Sequence, residues 1–198
     1  MAKSEKETPT AKGKEGEGKK KSSSFKDLLV TLLIAAVIAF ALKYFVITSC
    51  KVLSSSMLPT LSIDDRVLAF RLSYNLGEPQ RGDIIIFEPP AEHDEGVDYI
   101  KRIIGLPGET LEVKEGKVFI DGVALEESYI AEAPNYEFAA VTVPEDEYFV
   151  MGDNRNHSLD SHLWTYHFVK ADDIDGKIIF QYYPFTELGT FKDGSNVN

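Results

Sequence analysis

Two short segments hold side chains that could do covalent chemistry together. The first, Ser54-Ser55-Ser56-Met57-Leu58-Pro59-Thr60, begins seven residues after a long apolar stretch that ends at Ile47. The second is Tyr99-Ile100-Lys101-Arg102-Ile103-Ile104-Gly105, with Lys101 forty-five residues beyond Ser56. A serine hydroxyl is a poor nucleophile until a nearby base takes its proton, and a neutral lysine serves as well as a histidine. Burial among Ile100, Ile103 and Ile104 would penalise the ammonium form of Lys101 and move its pKa downward, toward the range of a useful base. It is the only lysine inside an apolar, strand-like run after residue 50. Each residue alone also has a plain structural explanation: a strand lysine can reach water on a solvent face, and Ser, Pro and Thr clusters mark turns or helix caps.

Further residues gather around this pair. Ser54 lies two before Ser56, so in an extended segment both side chains share a face and Ser54 could donate to a developing oxyanion. Local turn bonding is its alternative. A third segment, Gly152-Asp153-Asn154-Arg155-Asn156-His157-Ser158-Leu159-Asp160-Ser161, carries Asp153, Arg155 and Asp160, whose opposite charges are expected to lock its shape together with Arg102. These are expected as support, not as reactants. Trp164 and Tyr166 follow and are expected to pack in a core. Ser23-Ser24-Phe25-Lys26 also fits a Ser-x-x-Lys pattern, but it sits in a charged tail and is taken as chance.

The elements that must position these groups are a membrane anchor and a β-rich domain. From Leu28 to Leu42 only Thr31 interrupts the apolar character, and continuing past Lys43 to Ile47 gives about 30 Å of helix, the thickness of a bilayer core. Lys43 can snorkel at the outer end, with Tyr44 and Phe45 at the same depth. Lysines before the span predict a cytoplasmic N-terminus and an exported domain. The alternatives are a cleaved secretory signal, or a lipoprotein signal ending at Cys50. The expected organisation is a basic disordered tail at 1–25, a transmembrane helix at 26–49 and an exported domain at 50–198. In that domain the runs 66–70, 83–87, 99–104, 110–113, 117–120, 140–143, 148–151 and 177–182 read as short strands. Lys114-Glu115-Gly116 and Asp121-Gly122 read as hairpin connections. The fold class expected is mostly β, an antiparallel, partly closed domain with one short helix near Met57–Leu61.

Composition removes several function classes. The 198-residue chain carries a net charge of −11, and residues 51–198 hold twelve Lys and Arg against twenty-seven Asp and Glu, which argues against nucleic acid as a partner. The single cysteine, Cys50, permits no intramolecular disulfide and no cysteine-based zinc site. His93, His157, His162 and His167 lack metalloprotease spacing, so no metal and no cofactor are expected.

The segments at 54–60, 81–87, 99–109 and 152–161 occur in the order of the type I signal peptidases, and the chain resembles that leader-peptidase family, of the bacterial Ser/Lys dyad type, over roughly residues 26–185. The resemblance implies a membrane-bound serine endopeptidase that removes N-terminal signal peptides from secretory precursor proteins, cutting after small residues. It implies Ser56 as nucleophile, Lys101 as general base, Ser54 and the Ser56 N–H at the oxyanion, and Ser158 orienting the lysine. Val52 and Ile100 match positions that line the shallow pockets for alanine-like side chains. Many members carry arginine where this chain has His162, which puts a constant-charge ion pair with Asp160 in doubt. The implied location is a single pass through the cell membrane with the catalytic domain on the outer face, or a thylakoid membrane. The competing functions are a self-cleaving Ser/Lys peptidase and a catalytically silent, membrane-tethered β-module that binds exported chains.

Overall fold

The computed structural model describes residues 25–42, 46–90 and 96–191. The tail before residue 25, the Lys43, Tyr44 and Phe45 group and His93 lie outside the described residues. The chain forms two compact units, Met1–Ile38 and Ala39–Asn198.

Helix α1 runs from Phe25 to Ala41. Asp27 sits in its first turn, where a carboxylate complements the helix dipole, and the Thr31 hydroxyl donates back to the Asp27 carbonyl at 2.8 Å. Leu28, Leu29, Val30 and Ile38, which point to different sides of the helix, are all exposed, so the helix is apolar around its whole circumference. Seventeen residues make about 26 Å. Among the described residues no helix is long and apolar enough to cross a membrane. The expected helix to residue 49 is therefore too long: α1 stops at Ala41, and Ile47–Lys51 is a strand, β1. β-Branched Ile47 and Thr48 suit a pleated backbone, and the segment finds a partner that places Ile47 opposite Phe70.

The second unit is mostly antiparallel β. One sheet has the order β1, β2 (Arg66–Phe70), β11 (Ile174–Tyr183), β3 (Ile84–Phe87), β4 (Tyr99–Gly105), β9 (Glu147–Met151), β10 (Val169–Lys170). The other has the order β7 (Val123–Ala124), β6 (Lys117–Ile120), β5 (Thr110–Lys114), β8 (Phe138–Thr142). Both predicted hairpin turns form: Glu115-Gly116 and Asp121-Gly122 have positive φ at both positions, the geometry that matches strand twist in a two-residue loop. No helix forms at Met57–Leu61. The segment is a turn closed by the Leu61 N–H on the Met57 carbonyl at 2.9 Å, and Pro59 has no N–H with which to extend it. A short helix, α2, lies instead at Ser73–Leu76.

Alternation explains why β3 is apolar at every position. Ile84 and Ile86 face a core with Val52, Met57, Leu61 and Val67, while Ile85 and Phe87 face a second core with Ile103, Val150 and Trp164. Trp164 is buried as expected, but Tyr166 is exposed and its hydroxyl donates to Glu147. A third core joins β9 to the smaller sheet through Leu111, Val113, Phe149 and Met151. These cores fix β4 and the two loops that meet it.

Candidate active site

Lys101 lies in β4 opposite Ile85, in the middle of the larger sheet. Its side chain is almost wholly withdrawn from water: the residue is 4% exposed. Desolvation pushes its pKa down from 10.5 to about 8, against the opposing pull of the Asp160 and Asp153 charges. Lys101 Nζ donates to Ser56 Oγ at 2.7 Å, and Ser56 is itself buried at 6% exposure. The candidate nucleophile and the candidate base are thus in direct contact. Lys101 Nζ also lies 5.5 Å from the centre of the Tyr99 ring.

The Ser56 turn is pinned from several sides. Asn154 N–H donates to the Ser56 carbonyl at 3.0 Å, and Asn154 Nδ2 donates to the Ser55 carbonyl at 3.1 Å. Ser54 Oγ is 3.2 Å from Ser56 Oγ, on the same side of the turn as the sequence spacing suggests. Val52, Ser54, Ser56, Ile100 and Lys101 line one cleft of about 400 Å³. The pair and its predicted pockets are therefore brought together.

Arg102, next along the strand, carries a different arrangement. Its guanidinium makes a two-pronged bond to Asp153, at 2.8 and 2.7 Å, and donates to the Gly82 carbonyl at 2.7 Å. The Thr60 hydroxyl donates to the same Asp153 carboxylate, so β4, the loop after β9 and the Ser56 turn share one network. Arg155 is also buried, but its partner is Glu127, at 2.7 and 2.6 Å, rather than Asp153 or Asp160. Tyr129 lies beneath both cations, 4.1 Å from Arg102 and 5.9 Å from Arg155. Asp160 instead accepts from the Gly152 N–H at 2.8 Å and meets His162 Nδ1 at 2.6 Å. The expected mutual locking of Asp153, Arg155, Asp160 and Arg102 thus resolves into three separate pairings.

Thr60, Glu127 and Tyr129 escaped the sequence reasoning. Glu127 is 28 residues from Arg155, and nothing in the spacing links them. Gly152 was legible as part of a motif but its reason was not. A Cβ there would lie 2.3 Å from Ser158 Oγ and 2.4 Å from the Ser56 carbonyl oxygen, so only glycine lets the two loops approach. Ser158 is buried beside the pair, yet its hydroxyl has no hydrogen-bond partner among the described residues. Lys101 bonds Ser56 rather than Ser158. Among the described residues no group of His, Cys, Asp or Glu could hold a metal ion.

Comparison with known proteins identifies the family. Residues 25–183 match the family model described as "Signal peptidase, peptidase S26". The chain is 44% identical over 174 residues to the "Probable signal peptidase I-1" of Synechocystis, covering 84% of this chain and 88% of that protein. It is 39% identical over 175 residues to the signal peptidase I of Leptolyngbya laminosa, covering 86% and 85%. It is also 39% identical over 139 residues to the chloroplastic thylakoidal processing peptidase 1 of Arabidopsis thaliana, covering 66% of this chain and 40% of that protein. On the family match and these identities, the chain belongs to the signal peptidase family, peptidase S26.

Proposed function

We propose that this protein is a membrane-anchored serine endopeptidase that removes N-terminal signal peptides from secretory precursors, with Ser56 as nucleophile and Lys101 as general base. The observation that carries the mechanism is the 2.7 Å contact between Lys101 Nζ and Ser56 Oγ, made by a lysine that is 4% exposed. In the reacting form the amine is neutral and accepts the Ser56 proton as Oγ bonds to the scissile carbonyl carbon. The carbonyl oxygen takes up negative charge, and the Ser54 hydroxyl and Ser56 N–H are the donors assigned to it. When the C–N bond breaks, the Lys101 ammonium returns its proton to the leaving amine, which departs as the mature N-terminus. Water then attacks the acyl-enzyme, giving a proton to Lys101 and releasing the signal peptide as a carboxylic acid while Ser56 regains its proton. The Ser158 hydroxyl, free of other partners among the described residues, is available to hold the ammonium between these steps.

Val52 and Ile100 in the cleft beside the pair favour small side chains before the cut bond. Helix α1, exposed and apolar on all sides, is assigned to a bilayer as an N-terminal anchor with the second unit on the exported side. A helix a few ångström shorter than the hydrocarbon layer is accommodated by local thinning. The anchor places the peptidase beside a precursor whose apolar segment is still in the membrane. A plasma or a thylakoid membrane would serve equally. Incubating the purified chain with a precursor carrying an Ala-x-Ala site, and sequencing the new N-terminus, tests the activity; an uncut precursor counts against it.

A further inference from the structure

The chemistry assigned to Ser56 and Lys101 leaves His162 without a role, yet its imidazole is tightly built in. Its Nδ1 lies 2.6 Å from Asp160 Oδ1, and the two side chains are 8% and 0% exposed. The Tyr136 ring, from the segment between β7 and β8, stacks on it with centroids 4.1 Å apart and planes 6° from parallel. The other Asp160 oxygen accepts the Gly152 N–H at 2.8 Å. Gly152 is the residue whose missing side chain lets Ser158 Oγ and the Ser56 carbonyl come together. The Asp160 charge also acts on Lys101, favouring its ammonium form. A short path therefore runs from the imidazole, through one carboxylate, to the catalytic pair.

We propose that His162 is a positioning residue for Lys101: through Asp160 it holds Gly152 against Ser158 and Ser56, and its own protonation sets how much of the Asp160 charge the lysine feels. This rests on the Ser56–Lys101 assignment above. Among the described residues the groups facing this path are few. Asp160 meets the imidazole edge and Tyr136 covers its face. Burial first, and then the Asp160 charge, hold the Tyr136 phenol protonated, with Arg155 and Glu127 acting on it in opposite senses. Asp153 is the other carboxylate acting on Lys101. Imidazole is the side chain whose charge changes in the neutral range, which makes it the natural switch among these groups. An imidazolium offsets the Asp160 anion, withdraws support from the ammonium and lets Lys101 lose its proton at lower pH. A neutral imidazole leaves the anion in force and does the reverse.

The test compares a constant cation with a group that is never charged, His162→Arg and His162→Gln, in the full chain. The rate at limiting substrate is followed against pH on an Ala-x-Ala precursor. The rising limb should lie lower in the Arg variant than in the Gln variant by roughly half a pH unit; superimposed limbs overturn the proposal. A readout independent of activity is the His162 ring titration, followed by NMR in the unmodified chain and in Lys101→Met. Coupling is reciprocal, so removing the ammonium should move the ring titration upward, and an unmoved titration refutes the link even where the His162 variants fold poorly. A wild-type chain that leaves the precursor uncut speaks against the peptidase assignment, and the ring titration still decides the coupling.

Discussion

Lys101 and Arg102 stand side by side on β4, 4% and 3% exposed, and the fold treats the two charges in opposite ways. Arg102 has a two-pronged carboxylate partner, a backbone carbonyl and the face of Tyr129. Lys101 has a hydroxyl at 2.7 Å and, among the described residues, no carboxylate within ion-pair reach. Taking a cation out of water costs several kcal/mol unless an anion and further hydrogen bonds replace the solvent. Arg102 receives that replacement and is a structural tie between loops. Lys101 is left short of it, and an amine can respond as a guanidinium cannot, by giving up its proton. One strand thus supplies a permanent cation that builds the site and a reluctant one that the proposed function makes its base.

The contrast is broken most severely by altering the working pair. Ser56→Ala and Lys101→Ala should each lower precursor processing by about 10⁴-fold or more, and the double variant should be no worse than either, since the two act as a unit. Lys101→Arg, which makes the two neighbours chemically alike, should be equally inactive in the same precursor-processing assay. Additive losses would separate the pair.

Stability sharpens the comparison next. Removing one partner of a buried ion pair costs about 3–5 kcal/mol, so Arg102→Met or Asp153→Ala should lower the unfolding free energy, read from denaturant titration, by that amount. Lys101→Met should hold or raise stability at neutral pH, because it removes a poorly compensated charge. A Lys101→Met chain as unstable as Arg102→Met would show that the lysine is also a structural tie. Ser54→Ala removes only a donor at the edge of the site and should cost about 3 kcal/mol in the transition state, seen as a fall in kcat with little change in KM.

The smallest effect is a pH slope in stability. The Lys101 pKa falls from 10.5 to about 8 on folding, so the folded chain holds fewer protons than the unfolded one between these values. The penalty is full below about 8 and fades as pH rises toward 10.5, so stability gains up to about 3 kcal/mol across that window. Denaturant titrations of wild type minus Lys101→Met should isolate this slope, and a flat difference would mean the ammonium is not disfavoured by folding.

The same contrast marks what the sequence could disclose. Lys101 was legible because its neighbours Ile100, Ile103 and Ile104 announce an apolar strand, and Ser56 because its motif stands in order with three others. Strands β2 and β6 begin and end where their turn residues say, since Arg66–Phe70 and Lys117–Ile120 are apolar runs closed by local chemistry. Strand β1 was hidden because Ile47 continues the apolar run of α1, and only its register against β2 makes it a strand. Two-residue strands β7 and β10 carry too little pattern to be seen. Charge type alone suggested that Asp153, Arg155, Asp160 and Arg102 would pair among themselves. The actual partner of Arg155 is Glu127, chosen by the packing of the smaller sheet against the loop, which no local spacing encodes.

If desolvation makes Lys101 the base, the pH dependence of kcat/KM must carry its titration. For the full chain acting on an Ala-x-Ala precursor without added metal, the rate should rise with pH through an apparent pKa of about 8 and level off above it. Lys101→Ala should show no such limb. A profile flat across that range, or a limb of undiminished height in Lys101→Ala, would mean that Lys101 is not the base.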